Sequence, residues 1–159
     1  MSDAVFDRVR SGLGELAQDA AVSHGVLVVS AAPAGVLPLV HGLKAAGFDM
    51  FLDVTAVDWP GQSPRFEVVW HFYSTSSKVR VRVKTRVAGE QPEVDSLVAL
   101  FGSAAFMERE CHEMYGIRFR GNDDLRPLLL YEGFVGYPLR KDYAKEQEQP
   151  LVPYREGFQ

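Results

Sequence analysis

The chain has 159 residues, enough for one domain, and 47% of them are hydrophobic, so one core can form without metals or disulfides. Its single cysteine, Cys111, excludes an internal disulfide and a self-sufficient iron-sulfur site, and points to a reducing, cytoplasmic compartment. With 17 basic and 21 acidic residues the net charge of −4 gives no sign of a polyanionic partner, and no apolar run reaches the roughly 20 residues of a membrane span.

From Asp3 to about Ala21, Val5, Val9, Leu13 and Ala17 recur every four positions, which predicts an amphipathic helix weakened by Gly12 and Gly14. Acidic residues stand here where a secretory signal would be basic. Val26 to Val29 predicts a short buried strand. Pro33 opens a helix through Val36, Leu37, Val40 and Leu43, Gly47 stops it, and Phe48 to Val57 is a second strand. Phe66 to Tyr73 is a third, and Lys78 to Val87 alternates throughout. Val79, Val81, Val83, Thr85 and Val87 form one face, and Lys78, Arg80, Arg82, Lys84 and Arg86 the other. The link Ser74 to Ser77 has the length of a hairpin loop, so the sheet is at least partly antiparallel. The basic face reads as solvated or as a guarded edge strand, ahead of an acidic protein partner and far ahead of nucleic acid.

Val94, Leu97, Val98 and Phe101 have helical spacing, and Ser103 is placed to cap a further helix through about Tyr115. Beyond Gly121 periodicity is lost among Pro127, Gly133, Gly136, Pro138, Pro150 and Pro153. Yet Leu128, Leu129, Leu130, Tyr131, Phe134, Val135, Tyr137 and Leu139 are too apolar for a solvated tail. Such a segment is expected to lie on a surface.

The chain lacks a phosphate-binding loop, a dinucleotide-binding glycine turn, a nucleophile elbow, an HExxH and a CxxC motif. Glu108 and His112 stand four apart on the predicted helix, beside Cys111 and Glu113, a spacing open to a metal or a cysteine nucleophile. The plainer expectation is a pair of polar contacts, Glu108 with His112 and Arg109 with Glu113. Pro138-Leu139-Arg140-Lys141-Asp142-Tyr143 joins a rigid entry, two cations, an anion and an aromatic ring, a mixture suited to a desolvated interface.

Three blocks, in order, carry a family resemblance. They are Glu108-Arg109-Glu110 running through Glu113 to Gly116 and Ile117, then Gly121 with Asp124-Leu125-Arg126, and Pro138 to Tyr143. Together they closely resemble the signature of the 30 kDa (C-type) subunit of respiratory complex I, the proton-translocating NADH-quinone oxidoreductase. Phe51 to Trp59 and the hairpin after it also look like that family. Departures are His112 in place of an aromatic, Glu113 in place of Asp, Asn122-Asp123 in place of His-Pro, and Pro127 where a second arginine is common.

The resemblance implies a structural subunit of the hydrophilic arm with no catalytic, cofactor-binding or metal-binding residues of its own, in a complex that uses FMN, iron-sulfur clusters, NADH and quinone. It implies contact with the hydrogenase-like large (D-type) subunit and the cluster-bearing small (B-type) subunit. It also implies a peripheral place on the cytoplasmic face of the bacterial inner membrane, reached only through partners. Equivalent subunits occur in membrane-bound hydrogenases and in ferredoxin- or deazaflavin-fed complexes; a small independent metal- or cysteine-dependent enzyme is the reading of a different class. The expected fold is α+β: a mixed or antiparallel sheet with helices packed on one side (1–120) and a long irregular C-terminal arm (121–159).

Overall fold

A computed structural model describes residues 2–149; Pro150 and Pro153 of the expected arm lie outside them. The first helix, α1 (Ser2–Leu13), is shorter than its pattern predicts. Gly14 turns to φ +50° and a single 3₁₀ turn follows. The chain then extends into a strand that the helical pattern had concealed, β1 (Asp19–Ser23). His24 and Gly25, both at positive φ, form the tight two-residue link to β2 (Val26–Ser30), so residues assigned to a helix end instead pair antiparallel with their neighbour.

α2 (Val36–Ala45), β3 (Met50–Asp58), β4 (Phe66–Ser74) and β5 (Val79–Val87) lie where their patterns place them. The five strands form one mixed sheet in the order β1-β2-β5-β4-β3, with β2 and β5 parallel and the other pairs antiparallel. β5 is therefore the central strand, and its basic face guards no edge. Its valines bury on the other face with Phe66, Val68, Trp70 and Phe72 of β4. The α1 residues Phe6, Val9 and Leu13 and the α2 residues Leu39, Val40 and Leu43 join them in one core.

The predicted helix over Val94 to Phe101 is absent. Val94, Leu97 and Phe101 are buried as the spacing implies. However, residues 93–95 form β6 (Glu93–Asp95), parallel to β7 (Arg118–Arg120), and a tight turn follows. Helical spacing marked burial, while tertiary partners took the backbone donors: Ser96 N–H goes to the Arg120 carbonyl and Leu97 N–H to the Glu108 carboxylate. One helix, α3 (Ala104–Tyr115), follows instead of two, and it packs along β3 at the edge of the sheet. Beyond β7 the described chain holds no further helix or strand, and no helix is long and apolar enough to cross a membrane. The architecture is α+β.

Candidate functional site

Residues 121–149 are irregular in backbone yet tied to the domain by polar contacts. Three carboxylates buried among the described residues, Asp58, Glu108 and Glu113, do most of the tying. Glu108, fully buried, accepts from Ser96 Oγ at 2.7 Å, Leu97 N–H at 2.7 Å and Asn122 Nδ2 at 3.0 Å. Burial pushes its carboxyl above the ordinary range, opposed by these donors. Glu113 accepts three successive backbone N–H groups, from Leu128, Leu129 and Leu130, at 2.9, 2.8 and 3.2 Å. Arg109, between them, donates to the Arg126 and Pro127 carbonyls at 2.9 and 2.8 Å and lies 3.7 Å from Asp124. One face of α3 thus satisfies a stretch of loop that has no ladder of its own.

Asp58 ends β3 in register with Val54 and Ala56, so its carboxylate points inward. Arg65 clasps it with two bonds of 2.6 and 2.7 Å, and Lys141 N–H adds a third at 2.7 Å. The remaining terminal nitrogen of Arg65 reaches Asp142 at 2.8 Å. Arg65 holds the Asp58 carboxyl below its ordinary range, and Asp142 likewise. Arg140 donates to the Tyr115 carbonyl at 2.6 Å and lies over the rings of Tyr137 and Phe66, while Leu139 N–H bonds the Met114 carbonyl.

The structure brings most signature residues together, though not through the i to i+4 pairs expected along α3. Arg109 and Glu113 do not bond each other, nor do Glu108 and His112; His112 Nδ1 contacts the Ile117 carbonyl at 2.9 Å. Arg140 and Asp142 are engaged within the chain, and the Lys141 side chain is exposed. Asp124 and Arg126 pair with each other, Leu125 packs on the core, Pro138 is half-buried, and Tyr143 stacks near Phe134 and accepts from Gln149. Glu110 is exposed. Arg65 and Ser96 were not singled out from the sequence, Asn122 stood there only as a departure from the family pattern, and Asp58 only within the Phe51 to Trp59 run, where its inward phase along β3 was the one further signal.

Gly116 closes α3 at φ +73°, and a methyl group there would sit 2.6 Å from the Tyr137 ring and collide with the Arg140 guanidinium. Gly116→Ala is expected to cost about 2 kcal/mol from backbone strain and displacement of residues 137–140. Limited trypsin digestion followed by mass spectrometry checks it, with faster cleavage at Arg140 and Lys141 as the expected result.

Cys111, Glu108 and His112 do not converge. Each faces different partners, and the described residues hold no group of three or more metal-ligating side chains. The Cys111 thiol is buried, which pushes its pKa up, and nearby Asp53, Glu108 and Glu110 add to the rise. The native chain is expected to react with iodoacetamide about 100-fold slower or more than the unfolded chain, read as alkylated mass against time.

Besides charged residues such as Arg126, Glu132 and Lys141, the arm leaves large apolar side chains outward. Leu129 is 62% exposed, Val135 68% and Leu139 48%, with Leu128 and Tyr131 nearby in sequence.

A family model described as the respiratory-chain NADH dehydrogenase 30 Kd subunit matches residues 29–149. The chain is 40% identical over 146 residues to the second of the C-type NADH-quinone oxidoreductase subunits of Rhizobium etli, covering 90% of this chain and 74% of that protein. It is 43% identical over 138 residues to the first such subunit of Rhizobium meliloti, covering 85% and 68%. Among solved structures, the trypsin-resistant fragment (1–134) of Nqo5 superposes with a TM-score of 0.67 at 26% identity, over 79% of this chain and 100% of that one. A chain of the membrane-bound sulfane sulfur reductase, an archaeal respiratory membrane complex, shares the fold with a TM-score of 0.80 at 23% identity, over 91% and 86%.

Proposed function

The chain belongs to the 30 kDa subunit family of respiratory-chain NADH dehydrogenases, and from that premise we propose that it is a cofactor-free structural subunit of the hydrophilic arm of a proton-translocating NADH-quinone oxidoreductase. It sits peripherally at the cytoplasmic face of the membrane, reaching it through other subunits. Its arm packs against the hydrogenase-like large subunit, near the cluster-bearing small one. Electron transfer between clusters and quinone binding both need fixed distances, and this chain supplies rigidity rather than a reacting group.

One observation carries the reading: an irregular arm is held by buried carboxylates and arginines, and it leaves leucine, valine and tyrosine side chains outward among its charged residues. Surface of that kind is costly in water and is satisfied by a partner. Ordering the arm in advance also lowers the entropy lost on docking.

The test is affinity purification of the tagged chain from its native membrane in mild detergent, with co-purifying subunits identified by mass. Cluster-bearing subunits with NADH-quinone activity are expected. The double substitution Leu129→Asp/Val135→Asp is expected to lower their recovery about tenfold, the equivalent of ~1.4 kcal/mol. The same subunits without NADH activity would move the chain to a hydrogenase- or ferredoxin-type complex; recovery of the chain alone would refute the structural role.

A further inference from the structure

α1 and α2 pack on one face of the five-stranded sheet and α3 flanks it at β3, so no helix packs on the outward residues of β2, β4 and β5. The arm makes no hydrogen bond or ion pair to those residues among the described ones. The register sets them in rows: Val28, Arg82, His71 and Asp53 lie side by side across four strands, with Val26, Arg80 and Tyr73 in the next row.

The charges on this face are unevenly matched. Lys84 and Arg86 share Glu67, at 3.4 and 3.8 Å. Arg80 and Arg82 form no ion pair among the described residues, and the Arg82 Nε is buried without a hydrogen-bond partner. The chain itself shields Nε, while the terminal guanidinium nitrogens of Arg82 reach the surface with no hydrogen-bond partner among the described residues, where an incoming acceptor can meet them. His71, beside Arg82, is held below its ordinary pKa by burial and then by the charge of Arg82, with Arg80 and Lys84 adding to it and Asp53 opposing. The patch is therefore cationic in a chain of net charge −4. Strand spacing and rise give it an area on the order of 600 Å², close to the roughly 800 Å² that one partner contributes to a standard interface. Arginine and tyrosine are residue types enriched at interface centres.

We infer that this face docks a second protein partner in the assembly, one presenting an acidic surface whose carboxylates meet Arg80 and Arg82 while its apolar atoms cover Val26, Val28 and Tyr73. Arg80 and Arg82 stand two residues apart on one strand, about 7 Å along it, so the partner carries at least two carboxylates at comparable spacing. Nucleic acid fits less well, because Glu67 and Asp53 share the face. The inference rests on the reading of the chain as a subunit, and uses a surface the arm does not occupy.

A photo-crosslinking amino acid at Val28, in the complex purified from native membranes, reports on this face; the same amino acid at Leu129 reports on the arm. The Val28 probe is expected to join an acid-rich peptide of another protein subunit. Arg80→Glu/Arg82→Glu is expected to lower incorporation about tenfold or more, as loss of two desolvated charge pairs implies. Changing the crosslinked carboxylates to lysine is expected to restore it. Arg80→Gln/Arg82→Gln, which introduces no charge, keeps the test valid if the reversal does not fold; its incorporation is expected to fall severalfold and to lose much of its salt dependence. Crosslinking from Leu129 but not Val28, a Val28 adduct with lipid or nucleic acid, or incorporation of the glutamine variant at the native level overturns the inference and leaves the structural role standing. Recovery of the chain alone, with neither probe crosslinked, overturns both.

Discussion

Glu108→Ala is expected to destabilise the chain by about 4 kcal/mol, because the substitution strands three donors and opens a cavity where the carboxylate was. Ser96 Oγ, Leu97 N–H and Asn122 Nδ2 all converge on this one fully buried group, and they belong to the loops that follow β6 and β7. Glu108→Gln retains an acceptor for the Leu97 N–H and sheds the buried charge, so its loss is expected to stay within about 1.5 kcal/mol. The pH dependence separates these effects. Burial raises the carboxyl pKa above its ordinary 4.5, so the folded state holds the proton to a higher pH than the unfolded state. The stabilisation is complete below about 4.5 and is lost as pH rises through the folded value. In Glu108→Gln this decline is expected to vanish. Urea denaturation of native chain and both variants across pH 4 to 8 measures it; an alanine variant as stable as the native chain would show that the donors find water instead.

Arg65→Ala is expected to cost about 3 kcal/mol and to free the end of the arm. The Asp58 side chain is fully shielded and loses two of its three bonds, which ranks among the costlier ways to break an ion pair. Arg65 is itself 30% exposed, and that screening places the figure at the lower end of the buried range. Asp142 loses its partner as well. Here the sign is opposite to that at Glu108. Arg65 depresses the Asp58 and Asp142 carboxyls below 3.8, so their stabilisation is present above that value and lost as pH falls through the lower folded ones. Removing Arg65, the largest cause of both shifts, is expected to weaken this acid-side dependence, with the Lys141 N–H and Arg140 still acting on Asp58, and to bring acid unfolding to a higher pH. Trypsin cleavage at Arg140 and Lys141, with acid melts followed by circular dichroism, reads both consequences. Unchanged cleavage would mean that Glu113 and Arg140 hold the arm without the clasp.

The alternation from Lys78 to Val87, the apolar run of β2 and the Pro33 and Gly47 bounds of α2 carry their own structure, because each is a local periodicity matched by local backbone preference. The α+β class, the hairpin and the burial of Val94, Leu97 and Phe101 were legible for that reason, as was the weakness of the first helix at Gly14. The signature blocks were legible as residues that recur together. Their partners were not: Arg109 and Glu113 stand four apart on α3, yet each bonds loop backbone rather than the other. Position in the sheet was also beyond the sequence, since alternation shows which residues share a face and says nothing of which strands flank it. A basic strand whose charges read as a solvated face or a guarded edge thus proves central.

By itself the sequence determined where apolar faces lie, where glycine and proline interrupt them, and which residues mark the family. Those properties depend on neighbours within a few positions. Only the tertiary structure decided that β1 and β6 are strands, that Asp58 and Arg65 clasp the arm, and that Glu108 binds two loops. In each case a backbone or charged group buried by distant parts of the chain had to find a partner there, and local pattern carries no record of which one it found.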